Sequence, residues 1–143
     1  MKLISKLVPA VCLLIIAGCS GGDAEKIETA VFSGKVTLDG QPLEKGVIQF
    51  HPGNDASGQP LRGKRTEATI NAGQYQLSSD QGAVVGENIV MISATKVVGK
   101  EMADGEEIDK VEQYLPAIYN SETTLSVNVT PEDQEHNFEL KSK

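Results

Sequence analysis

The stretch "SGKVTLDGQPLEKGVIQFHP", Ser33 to Pro52, decides the architecture. With Phe32 just ahead of it, Phe32, Gly34, Val36 and Leu38 alternate with Ser33, Lys35 and Thr37. Successive side chains of an extended chain point to opposite faces, so this period of two predicts a half-buried strand. Asp39-Gly40 tolerates the backbone that a tight turn demands, and Pro42 and Gly46 continue the connection. Val47 to His51 then forms a second strand, with Ile48 and Phe50 inward.

The same pattern recurs downstream. A loop of Gly, Pro, Asn, Asp and Ser from Pro52 to Lys64 leads into a hairpin, Arg65–Ile70 and Gly73–Leu77, around Asn71 and Ala72. Thr66, Ala68 and Ile70 share one of its faces, which Tyr75 and Leu77 continue. Asn88 to Val98 is the most apolar segment and is bulky on both faces, as a central strand would be. Leu125, Val127 and Val129 alternate with Ser126 and Asn128; after a turn at Pro131 to Gln134, Phe138 and Leu140 alternate with Asn137 and Glu139. Seven short strands, with no amphipathic helix and no fixed repeat, predict an all-β fold, a seven-stranded antiparallel Greek-key β-sandwich. The run "GKEMADGEEID", Gly99 to Asp109, breaks the alternation and opens a long excursion that lasts to Thr124. Loops beyond ~12–15 residues are usually functional or disordered, which makes this excursion the candidate binding segment.

Gly34, Val36, Gly40, Pro42, Leu43 and Gly46 resemble the opening of carboxypeptidase regulatory-like domains, and Gly73 and Tyr75 resemble their next hairpin. Pro116 and Tyr119, in "LPAIYNSETTLSVNV", followed by "HNFEL", resemble the tail of small bacterial lipoproteins that carry this domain alone. The resemblance spans most of residues 30 to 141 and implies a transthyretin-like (prealbumin-like) sandwich. It implies no catalysis, because in larger relatives the domain accompanies a peptidase or transporter.

Upstream, Lys2 and Lys6 precede an apolar run, Leu7 to Ile16, that ends in Ala17 and Gly18. This is the layout of an export signal, and the run is about half the ~20 residues that a membrane-spanning helix requires. Ile16-Ala17-Gly18-Cys19 resembles the lipobox of bacterial lipoproteins. The resemblance implies cleavage before Cys19 and acyl chains, palmitate among them, on that residue. Two or more chains give stable anchoring where one does not. Ser20, rather than an aspartate, follows the cysteine, which by similarity to lipoprotein sorting favours the outer membrane. Ser20 to Thr29 is small and polar and reads as a flexible tether. The expected organisation is therefore a signal peptide (1–18), lipidated cysteine and tether (19–29) and sandwich (30–143).

Removing Lys2 and Lys6 from the chain's 13 basic residues leaves 11 against 20 acidic ones, a mature formal charge of −9. That excludes a phosphate-tracking nucleic-acid binder, which needs a clustered basic footprint. Cys12 leaves with the signal, so the mature domain has no cysteine pair to oxidise. His136 and Glu139 form a literal His-x-x-Glu, but strand positions three apart face opposite ways and cannot meet one metal. Asp104, Glu106, Glu107 and Asp109 could offer oxygens to calcium, though not in EF-hand spacing. With Tyr114 and Tyr119 they are the candidate binding residues of the excursion. No nucleophile–base set can be assembled from His51 and His136, and no metal or cofactor is expected. Two functions remain: a non-enzymatic envelope module that binds a protein or glycan, or a small-molecule or ion binder using residues 99–124. A transthyretin-related hydrolase ranks behind both, because "FELKSK" does not match the C-terminal residues of such enzymes.

Overall fold

A computed structural model describes residues 26–132 and 135–143. The chain is all-β, with antiparallel ladders predominating. Its main sheet runs in the order β11-β8-β4-β5-β6-β2-β12. These are β2 (Ser33–Leu38), β4 (Lys45–Pro52), β5 (Thr66–Asn71), β6 (Gln74–Gln76), β8 (Gly86–Ser93), β11 (Ser126–Val129) and β12 (Phe138–Leu140). Each of the seven expected strands is present. Two shorter pieces decorate them: β3 (Gln41–Pro42) folds back on β2, and β1 (Thr29–Ala30) pairs with β7 (Ala83–Val84). No helix among the described residues is long and apolar enough to cross a membrane.

The sheet curls into a sandwich at β5 and β6, where the ladder narrows to one pair, Asn71↔Gln74. Ile48, Phe50, Ala68, Ile70, Val90 and Ile92 line one inner face, and Val36, Tyr75, Leu77, Phe138 and Leu140 come from the other side of the curl. Phe50 bridges the halves, its ring 6.0 Å from Tyr75 and 6.3 Å from Phe138. Phe32 meets it edge-on at 5.2 Å, the arrangement that sets a ring's positive edge against a negative face.

Four local expectations change. The β5–β6 turn is Ala72-Gly73, not Asn71-Ala72: φ is +50° and +75°, the two left-handed positions of a type I′ turn, and the glycine takes the second without strain. Thr29, assigned to the tether, is already paired in β1, and the Glu28 carbonyl accepts the Val85 N–H at 3.0 Å. The ladder between β12 and β2 is parallel, with Phe138↔Val36 and Leu140↔Leu38. Finally, the single strand expected over Asn88 to Val98 is two elements. It breaks at buried Ala94, between β8 and β9 (Thr95–Ala103).

The parallel C-terminal strand is clasped by side chains from several elements. Tyr75 Oη donates to the His136 carbonyl at 2.7 Å, and Asn137 Oδ1 accepts the Lys35 N–H at 2.7 Å. Tyr119 Oη accepts the Lys141 N–H at 2.9 Å, and Asp39 accepts that of Ser142 at 3.1 Å. At the opposite corner Asn88, fully buried, donates from Nδ2 to the Val84 and Gly86 carbonyls at 2.6 and 3.0 Å, fixing the turn between β7 and β8.

Candidate functional site

The excursion expected as a loop is a projecting β-ribbon. The nine residues of β9 pair antiparallel with the eight of β10 (Glu106–Gln113) across a two-residue turn. Asp104 and Gly105 take φ of +50° and +86°, again a type I′ turn, whose twist suits the flanking strands. Every residue of β10 is exposed, and in β9 only Ala103 is partly covered. The ribbon belongs to neither half of the sandwich.

Its root is held by one side chain. Gln113 Oε1 accepts the N–H groups of Ala94 at 3.0 Å and Leu115 at 3.2 Å, while Tyr114 N–H donates to the Ala94 carbonyl at 3.1 Å. The chain thus leaves β8 and returns through a closed ring of hydrogen bonds. Further out, the partners of consecutive Lys110 and Val111 jump from Gly99 to Val97, so Val98 is an extra, bulged residue in β9. β10 has no bulge and no proline.

The register assigns the candidate residues to faces. Glu107 opposite Met102, Asp109 opposite Lys100 and Val111 opposite Val97 share one face. Glu106 opposite Ala103, Ile108 opposite Glu101 and Lys110 opposite Gly99 share the other. Asp104 sits in the turn. The four acidic residues are therefore split between faces instead of converging, and Asp109 is committed to Lys100 Nζ at 2.8 Å. Both partners are more than half exposed, so the pair adds little stability. Among the described residues no three His, Cys, Asp or Glu side chains gather as a metal-binding group.

Apolar side chains accompany the charges. Met102 is 70 % exposed, Val97 59 %, Val111 57 % and Ile108 41 %. Tyr114, half-buried, and Tyr119, buried in the 3-10 turn Ala117–Tyr119, lie inward of the ribbon and pack against the core. A hollow of about 330 Å³ at the root is lined by Glu44, Lys45, Thr95, Lys96 and Tyr114, and it is open to solvent. A second hollow, about 650 Å³, is a wide-open depression over Lys35, Gln74, Gln76 and Glu135.

Elsewhere the polar groups serve structure. His136, half-buried, stacks edge-on against Phe32 at 4.6 Å, while Glu139 in β12 is exposed. On the outer face of β4, His51 Nε2 contacts Gln49 Oε1 at 3.0 Å, and Gln49 Nε2 donates to Glu67 at 3.1 Å. The carboxylate and the imidazole are separated by an amide, which relays no proton. Burial, and then the charge of Glu135, push the Tyr75 hydroxyl well above its ordinary value. Hydrogen bonds from Ser142 hold Asp39 below the usual carboxylate range.

Sequence reasoning missed the Gln113 staple and the Asn88 corner clasp. Gln113 ends β10 and Asn88 stands third in β8 on the buried face; a lone polar residue at either place gives no sign of the distant backbone groups it bonds. Asp104-Gly105 was the available signal for the ribbon, since Asp-Gly between pairing segments marks a hairpin. Cys19 and the preceding Ile16, Ala17 and Gly18 lie outside the described residues. Compared with protein-family models, curated proteins and solved structures, the chain finds no match.

Proposed function

We propose that the chain is an exported lipoprotein of the cell envelope, anchored by acyl chains on Cys19, whose sandwich displays the β9–β10 ribbon to a protein partner. The anchoring half rests on the Ile16–Cys19 motif at the end of a short apolar run, and on the likeness to small lipoproteins built on a carboxypeptidase regulatory-like domain. The binding half rests on one observation: a ribbon exposed along both strands carries five large apolar side chains, Val97, Val98, Met102, Ile108 and Val111, and, among the described residues, an unpaired strand edge. Such groups are ordinarily covered, because exposed edges and apolar patches invite pairing. An ion-binding role is the weaker reading, since the carboxylates diverge. A catalytic role has no paired nucleophile and base among the described side chains to support it.

The test has two arms in intact cells. Cys19→Ser should move the protein out of the membrane fraction or leave the precursor uncleaved; processing and fractionation identical to wild type overturn the anchor. Replacing residues 97–111 with Asn-Gly sets Lys96 and Glu112 beside a two-residue turn and removes the ribbon. That variant should stay folded and anchored yet lose the protein species that amine-reactive crosslinking joins to wild type. Unchanged crosslinks overturn the ribbon as the binding element.

A further inference from the structure

We propose that the outer edge of β10 pairs with β10 of a second copy of this chain, antiparallel, across a twofold axis at Val111. The inference names the partner of the ribbon proposed above and rests on that reading only for the ribbon's exposure; it does not require the lipid.

The ribbon's two edges are unlike. β9 carries the Val98 bulge, a device that bends a strand and blunts its edge. β10 is regular from Glu106 to Gln113, has no proline, and among the described residues pairs on one side only. An isolated two-stranded ribbon is marginal in water, and three or more strands are needed for independent stability. Joining β10 to β10 makes a four-stranded sheet with one added ladder.

The charges select the register. Antiparallel pairing about a twofold axis sets one residue opposite itself and its neighbours opposite one another, with side chains close enough to interact. An axis at Glu106, Glu107, Asp109, Lys110 or Glu112 sets like charge directly against like. An axis at Ile108 sets Glu107 against the partner's Asp109, twice. An axis at Gln113 carries the pairing off the end of the strand. Val111 alone escapes. There, Lys110 lies opposite the partner's Glu112 and Glu112 opposite the partner's Lys110, while Asp109 meets the partner's Gln113. Val111, 57 % exposed in the single chain, packs on its own copy. The overlap runs from Asp109 to Gln113, which places the contact in the weak, transient class of interfaces. Anchoring two copies in one membrane raises their effective concentration and favours such a contact.

The experiment uses the full-length protein in its own membranes. Residues paired across a hydrogen-bonded position lie about 5.5 Å apart at Cα, within disulfide reach. Val111→Cys should therefore give a covalent dimer under mild oxidation, while wild type and Ile118→Cys, an apolar site outside the ribbon that is also more than half exposed, stay at baseline. In the Val111→Cys background, Lys110→Glu or Glu112→Lys turns two attractive pairs into two repulsive ones. Each should cut the dimer yield several-fold, to about tenfold, and the double exchange should restore it. A Val111→Cys yield no higher than Ile118→Cys overturns the proposal. So does a double exchange no better than the single ones. Either failure leaves the ribbon-dependent capture of a different protein to be decided by the crosslinking arm described above.

Discussion

Tyr75 shows how much one side chain carries. Its ring packs between Phe50 and Phe138 in the core, and its hydroxyl holds the His136 carbonyl beside the first residues of β2. Gly34 makes that approach possible: a Cβ there would run into the His136 carbonyl and press on the Tyr75 ring. Tyr75→Phe keeps the ring and removes the donor to that carbonyl, and should cost about 1–3 kcal/mol in urea unfolding. The pH dependence has a definite sign. Burial raises the hydroxyl's value in the folded chain, so above the ordinary value near 10 the unfolded chain loses this proton first. The contribution is whole below that pH and declines above it. Wild type should therefore lose stability between pH 9 and 11 faster than Tyr75→Phe; parallel losses would mean that the hydroxyl ionises as freely folded as unfolded.

At the scale of elements, alternation assigns faces. Phe32, Val36, Ile48, Phe50, Tyr75, Leu77 and Phe138 are buried as the period of two requires, and Val127 is partly so; Lys35, Gln76 and Asn128 are exposed, and Gln49 is half-buried. Phe50→Ala should cost about 3–5 kcal/mol, because it removes the ring on which both halves of the sheet pack. Gln76→Ala should stay within about 0.5 kcal/mol of wild type. Comparable losses in the two variants would contradict the observed faces. Strands that bury one face were legible for this reason: the core imposes the pattern. The ribbon was not, because water lies on both of its faces and nothing forces apolar and polar residues to alternate. What holds it is backbone pairing and an Asp-Gly turn, and six acidic against three basic side chains masked that turn as a solvated run. The break at Ala94 was hidden similarly. Val97 and Val98 extend the apolar character of β8, although they stand in another sheet, more than two-fifths exposed.

Over the whole molecule, the sequence distributes its information unevenly. Fold class followed from the strands, and the parallel placement of β12 did not, because alternation marks a face and is silent on direction. The ribbon was legible only in part as a place, since the expected excursion over residues 99–124 overlaps it from Gly99 to Gln113, and not as a shape. Its acidic residues read as one cluster in the chain, whereas an extended backbone sends neighbours such as Glu106 and Glu107 to opposite sides. The polar clasps at Gln113, Asn88 and Tyr119 were invisible for a related reason: a hydrogen bond to a distant backbone group leaves no periodic trace.

The parallel pairing of β12 with β2 also orders events in time. Asn137 and Lys35, bonded to each other, are separated by 102 positions, so the sandwich closes only when segments far apart in the sequence meet. Closing so long a loop costs only slightly more entropy than closing a short one, but it cannot begin until the final strand is present, and non-local pairing is slow. A chain still emerging from a ribosome lacks the strand that seals its core. If the chain is exported as proposed above, a core that stays open until β12 is made would suit a chain that must cross a membrane unfolded. A chain ending at Glu132 should therefore fail to fold cooperatively in urea titrations, and adding a synthetic peptide of residues 133–143 should restore the transition. A sharp native-like transition without the peptide would show that β12 merely decorates a core already closed.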